Sequence, residues 1–254
     1  MNSNEIDIHK ELKKYFGFSQ FKGLQEQVVK SILEKQNTFV IMPTGGGKSL
    51  CYQLPALIQE GTAIVVSPLI ALMKNQVDAI RSLSSENGIA HVLNSSLTKT
   101  EITQVKKDIT SGITKLLYVA PESLTKDEYV QFLQSVTVSF VAIDEAHCIS
   151  EWGHDFRPAY LKISDLKKHF QKVPFLALTA TATPRVKEDI ITETGLQNPQ
   201  LFQKSFARDN IAYMVIEAED KLYKIEQILK KNPQPSIIYV RNRRSCIDIS
   251  NQLQ

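Results

Sequence analysis

Short, nearly continuous apolar runs alternate along this chain with stretches whose apolar residues return every three or four positions. The runs at 38–42, 62–67, 89–93, 115–119, 138–143, 175–178 and 199–203 predict strands. Between them, 49–59, 71–83, 99–111, 126–134, 160–170 and 184–194 predict helices, and two more, 8–16 and 24–33, precede the first strand. Strands that are apolar throughout, rather than alternating, must be covered on both faces. That points to an α/β fold with a parallel sheet between two helical layers. Thr183 ahead of Pro184, and Gly195 behind the same helix, are the expected start and stop signals.

The pattern restarts after about residue 205, with a strand near 211–216, a helix at 221–231, a strand at 236–240 and a further helix running to the last residue. Residues 1–205 therefore read as one lobe, and 206–254 as the beginning of a second, incomplete one. A complete α/β lobe needs ~100 residues or more. The expectation is a fragment of a longer protein, with the apolar strand at 236–240 short of neighbours to cover it.

Composition adds limits. Of 254 residues, 43% are hydrophobic and 22% charged, which is ordinary globular usage. No apolar stretch approaches the ~18 residues that cross a bilayer, so no membrane span is expected. The polar, acidic N-terminus shows no secretory signal. Cys51, Cys148 and Cys246 lie far apart, which disfavours disulfides and a zinc site and makes a reducing cytoplasm the expected location. The net charge of +3 lies wholly from Lys204 onward, where nine basic residues face six acidic ones. So small a surplus leaves the nucleic-acid question open.

Two motifs carry chemistry. Met42-Pro43-Thr44-Gly45-Gly46-Gly47-Lys48-Ser49 joins a predicted strand to a predicted helix. Glycines let backbone amides approach a polyphosphate, and the helix start adds partial positive charge. Lys48 would reach the β- and γ-phosphates and Ser49 would offer its hydroxyl to Mg²⁺. Met42 stands where the strict pattern has its first glycine. The second motif, Asp144-Glu145-Ala146-His147, ends another apolar strand. Asp144 would hold Mg²⁺ through water, and Glu145 would orient and deprotonate the attacking water. A plain glycine turn and a solvated acidic strand end are the plainer readings of each half. Together, in these contexts, they describe a site for ATP and Mg²⁺.

Further segments carry a family resemblance. Leu12, Phe16, Gly17, Phe21, Lys22 and Gln25 fall as L-x-x-x-F-G-x-x-x-F-K-x-x-Q. After them, in order, come Ser67-Pro68-Leu69-Ile70-Ala71-Leu72-Met73-Lys74, Ala120-Pro121-Glu122, Asp144 to Pro158 with its Trp-Gly-His-Asp-Phe-Arg continuation, and Leu178-Thr179-Ala180-Thr181-Ala182. This series resembles RecQ-type DNA helicases of superfamily two, from about residue 8 onward. The resemblance implies a RecA-like P-loop NTPase lobe plus the start of a second, with catalytic roles for Lys48, Asp144, Glu145 and His147. It also implies that Gln25 selects adenine, whose N6 donor and N7 acceptor suit a carboxamide, with Phe18 and Lys22 beside the base. Phe16 and Phe21 are read as core staples.

Trp152, the only tryptophan, lies with His154, Phe156 and Arg157 in a loop that leaves the acidic motif directly. Aromatic faces bind unpaired bases without sequence preference, and arginine adds phosphate attraction. A lone tryptophan is more often a buried anchor; adjacency to the carboxylates favours a sensor of single-stranded DNA. Lys74 is equally well read as a phosphate contact or a solvated lysine. Thr179 to Thr181 end a strand where a hydroxyl meets His147, while His91 and His169 carry no motif. The resemblance implies that the intact protein unwinds duplex DNA by moving 3′ to 5′ along one strand, with a basic finger supplied by residues beyond this stretch. An RNA helicase or remodelling ATPase of the same superfamily, and a small-molecule P-loop kinase, are the competing readings.

Overall fold

The computed structural model describes residues 6–153, 155–205 and 211–253. The chain divides into two compact units, Met1–Phe206 and Ala207–Gln254.

The first unit is built on seven parallel strands: β1 (Thr38–Ile41), β2 (Thr62–Val66), β3 (Ala90–Leu93), β4 (Leu116–Val119), β5 (Val138–Ile143), β6 (Phe175–Thr179) and β7 (Gln200–Gln203). Their order across the sheet is β3-β4-β2-β5-β6-β1-β7. Every register pairing is parallel, as the continuous apolar runs require. The helices are α1 (Ile8–Phe16), α2 (Gln25–Leu33), α3 (Leu50–Ile58), α4 (Ile70–Arg81), α5 (Lys99–Thr110), α6 (Asp127–Gln134), α7 (Ile163–His169) and α8 (Pro184–Thr194).

Alternate residues of each strand enter different cores. Phe39, Ile41, Ile64, Val66, Val141 and Ile143 pack with Val105 and Ile109 of α5, Leu133 of α6, Leu166 of α7 and Ile190 of α8. Val40, Ala63, Val65, Ala142 and Leu178 pack on the opposite face with Val28 and Ile32 of α2, Tyr52 of α3, and Met73 and Val77 of α4. Local signals fix the helix ends. Asp7 caps α1 by accepting from the His9 and Lys10 amides, and Gly17 closes it with φ +71°. Thr98 and Glu101 form a reciprocal capping box on α5, and Thr183 caps α8 ahead of Pro184.

The helix predicted at 160–170 is two pieces, a 3-10 turn at Pro158–Lys162 followed by α7. Pro158 begins that turn, and α7 proper starts only at Ile163.

The second unit holds α9 (Lys221–Lys231) and α10 (Arg243–Gln252), capped by Asp220 and Asn242, and neither helix buries a side chain. The strands expected at 211–216 and 236–240 do not form among the described residues. Strand residues have no internal hydrogen bonds and depend on a neighbour's ladder. Here Val215, Ile237 and Tyr239 stay exposed with no strand beside them.

Candidate functional site

Because β2, β5, β6 and β1 are consecutive in the sheet, the loops leaving their C-terminal ends share one edge. Ligands of open α/β sheets bind at that edge.

The β1 loop runs from Pro43 through Ser49 into α3. Gly45 and Gly47 have φ of +78° and +77°, a region that L side chains rarely adopt. A Cβ at Gly46 would lie 2.8 Å from the Pro43 carbonyl oxygen. The loop thus excludes side chains at its turn and leaves room for a ligand to approach its amides; Thr44 and Gly45 are exposed and Lys48 and Ser49 half-buried. The helix begins at Leu50 rather than Ser49, whose carbonyl accepts from the Gln53 amide at 2.9 Å.

Two side chains fold onto this loop. Lys48 Nζ donates to the Met42 carbonyl at 3.2 Å. The buried Gln25 accepts from the Lys22 amide at 2.8 Å and donates to the Gly47 carbonyl at 3.1 Å. The residue expected to read adenine therefore ties the preceding segment to the phosphate loop. Phe18 and Lys22 lie exposed nearby in sequence, at the α1–α2 connection.

At the end of β5, Asp144 is recessed and Glu145 sits in left-handed backbone with φ +47°, an uncommon conformation for a non-glycine residue that concentrates at functional sites. Loss of hydration, then the charge of Glu145, push the Asp144 carboxyl up to about 6. The Glu145 amide, which donates to Asp144 Oδ1 at 3.0 Å, and the charges of Lys48 and His147 act in the opposite direction. Asp144 thus feels the charge of Lys48, which leaves the other side of β6. Behind Asp144, the buried Tyr160 hydroxyl donates to its backbone carbonyl at 2.9 Å.

His147 is buried, with Nδ1 3.0 Å from Thr179 Oγ1 and 3.3 Å from Glu145 Oε2. Thr179 donates its hydroxyl proton to the Thr181 carbonyl at 3.1 Å, so the Nδ1–H of His147 is the donor to Thr179. The contact expected between His147 and the Thr179–Thr181 strand end forms through Thr179. It joins the β5 and β6 ends.

The loop after His147 is tightly wound. Gly153 donates to the Ser150 carbonyl at 2.9 Å, and a Cβ there would lie 2.6 Å from the His147 carbonyl oxygen. Arg157 bonds the Pro68 carbonyl at 2.8 Å and the Asp155 carboxylate at 3.0 Å, which holds the Asp155 carboxyl below its usual range. Trp152 is 62% exposed, so it is not a buried anchor. Phe156 is half-buried and Lys74 exposed on α4; His154 lies outside the described residues.

Among the described residues no group of three or more His, Cys, Asp or Glu side chains is placed to enclose a metal. One recessed carboxylate, which burial and the Glu145 charge leave reluctant to ionise, together with a hydroxyl at Ser49, instead suits Mg²⁺, which keeps most of its waters and takes few protein oxygens. No described helix is long and apolar enough to cross a membrane, and all three cysteines are free thiols.

Sequence reasoning missed Tyr160, whose role depends on a fold that no local pattern reveals. It also passed over His91. That residue is buried on β3, with Nε2 2.8 Å from Asp108 and Nδ1 3.1 Å from Arg81, and loss of hydration lowers its pKa. It clips α4 and α5 to the sheet edge.

Residues 22–190 match the DEAD/DEAH box helicase family. The chain is 43% identical over 247 residues to the ATP-dependent DNA helicase RecQ of Bacillus subtilis, covering 96% of this chain and 41% of that protein. It is 41% identical over 263 residues to the RecQ-like DNA helicase BLM of Xenopus laevis, covering 98% of this chain and 19% of that protein. The chain thus spans about two-fifths of the bacterial relative's length. Among solved structures, it is similar to helicase MrfA bound to DNA (TM-score 0.71, 18% identity, 100% of this chain and 39% of that one). It is also similar to the Hef helicase domain of Pyrococcus furiosus (TM-score 0.55, 20% identity, 72% of this chain and 38% of that one). With its phosphate loop and acidic strand end on one edge of a parallel sheet, the chain belongs to the DEAD/DEAH box helicase family, and RecQ helicases are its relatives.

Proposed function

We propose that the protein is an ATP-dependent DNA helicase that couples Mg²⁺-dependent ATP hydrolysis to 3′-to-5′ movement along single-stranded DNA and to duplex unwinding. Residues 1–205 are the ATP-binding lobe and 206–254 the beginning of a second RecA-like lobe. The observation that carries this reading is the continuous path from Asp144-Glu145 through His147 into the loop that exposes Trp152.

In this reading the loop amides from Thr44 to Ser49 hold the phosphates, and Lys48 leaves the Met42 carbonyl to neutralise their charge. Ser49 and Asp144 hold Mg²⁺, which when bound offsets charge on the phosphate oxygens. Glu145 orients the attacking water and takes its proton. His147 reports the state of Glu145 to Thr179 and to the Trp152 loop. Trp152, His154, Phe156, Arg157 and Lys74 form the strand contact, and Phe18, Lys22 and Gln25 border the base of the nucleotide.

The test is the ATPase rate of the protein extended through a complete second lobe, with single-stranded DNA, duplex DNA or RNA added, with and without Trp152→Ala. Single-stranded DNA should stimulate most, and the variant should lose that stimulation while binding ATP normally. Greater stimulation by RNA, with Trp152→Ala unaffected, would favour the RNA-helicase reading instead.

A further inference from the structure

The exposed face of Trp152 is already covered. The guanidinium carbon of Arg185 lies 3.5 Å from the centre of its ring. Arg185 is exposed on the first turn of α8, which starts at Pro184 behind the capping Thr183. One turn further along α8, Asp189 accepts from the Ser150 hydroxyl at 2.5 Å. The same hydroxyl accepts from the Trp152 amide at 3.2 Å. Both the root and the tip of the loop are therefore held by one face of α8.

These contacts close a circuit. From Trp152 the chain leads back to His147, which bonds Thr179 at the end of β6. From Thr179 the backbone passes Thr181 and Thr183 into α8, and so returns to Arg185. A shift of the loop must either break its hold on α8 or drag α8 with it.

We propose that Arg185 is a positioning residue that latches Trp152 in the DNA-free protein, occupying the ring face that an unpaired base takes when a strand binds. This rests on the reading of the loop as the strand contact. The magnitudes suit a latch. A cation over an exposed ring biases an equilibrium by about two- to five-fold. A stacked base is worth about five- to 150-fold, so it displaces the cation.

Trp152 is the only tryptophan of the chain, so tryptophan fluorescence reports the surroundings of this ring. The experiment compares acrylamide quenching of wild type, R185A and R185K without DNA, then titrates each with an oligo-dT strand. In R185A the uncovered ring should be quenched more readily, and the dT dissociation constant should fall by about two- to five-fold. R185K, which keeps a cation at the ring, should stay close to wild type. R185A quenching equal to wild type overturns the latch, whatever DNA does. A dT dissociation constant that is unchanged or higher in R185A also overturns it, assigning Arg185 to the strand itself. If wild type shows no response to dT while the R185A quenching shift is present, the strand-contact reading fails and the latch fails with it, by a different signal.

Discussion

On the β1 side of the site, Lys48 and Gln25 direct their hydrogen bonds to carbonyls of their own loop and its strand end. On the β5 side, Asp144 and Glu145 present two carboxylates side by side, one recessed and one in left-handed backbone. The glycine-rich loop is thus held by hydrogen bonds within the chain, whereas the acidic end keeps two carboxylates crowded together, a state that an incoming cation would relieve. Pre-formed loop amides lower the ordering cost of binding a phosphate. In the proposed reading, a crowded acidic pair would tie ion affinity to the same residues that act on water.

Four changes break or sharpen that contrast. Lys48→Ala should have the largest effect, lowering DNA-stimulated ATP hydrolysis by about 10²–10³-fold, in line with removal of one preorganised charge-stabilising group. Steady-state kinetics would show it as lost turnover, and a change within a factor of two would place the triphosphate elsewhere. Next is Asp144→Asn. The folded carboxyl keeps its proton up to about pH 6, against 3.8 for its ordinary value. The associated stabilisation is complete below the lower value and is lost as pH rises through the higher one. Asparagine keeps the acceptor for the Glu145 amide without the charge, so the nucleotide-free protein should gain about 1–2 kcal/mol at pH 7.5 after solvent screening. Melting curves should converge as pH falls from 6 toward 4. A variant that is less stable at every pH would show that the acidic end carries no strain.

Gly47→Ala tests the other side. The positive φ costs about 1–2 kcal/mol for any L side chain. The new Cβ would also collide with Gln25 Nε2 and displace that carboxamide from its contact. A melting temperature equal to wild type would mean the loop is not preformed. Gln25→Ala should cost least, about 1 kcal/mol for the lost hydrogen bonds, and it separates two roles. If the ratio of ATP to GTP hydrolysis is unchanged while stability drops, Gln25 is a clamp on the loop; if the ratio falls, it also reads the base.

Much of this fold is legible before any coordinates. Periodicity placed all seven strands of the first unit and the helices between them, because parallel strands covered on both faces leave an apolar signature, although the edge strand β7 is largely exposed. The same rule misled at 211–216 and 236–240. Val215 and Tyr239 satisfy the pattern for strands, but a pattern cannot supply the neighbouring ladder. Motif spacing located the phosphate loop and the acidic end. It could not show that Gln25 turns inward to Gly47, that Tyr160 reaches the Asp144 carbonyl or that Arg185 stacks on Trp152. Those contacts join residues far apart in sequence, and only packing brings them together.

One consequence of the strand order remains. β6 separates β1 from β5, so the glycine-rich loop and the Asp144-Glu145 pair leave strands that stand two inter-strand spacings apart, about 9–10 Å. In the proposed reading a triphosphate would lie across that gap as a rung joining the two sides, next to the β6 end that carries Thr179. Hydrolysis would then remove the rung and release the two sides of the edge from one another.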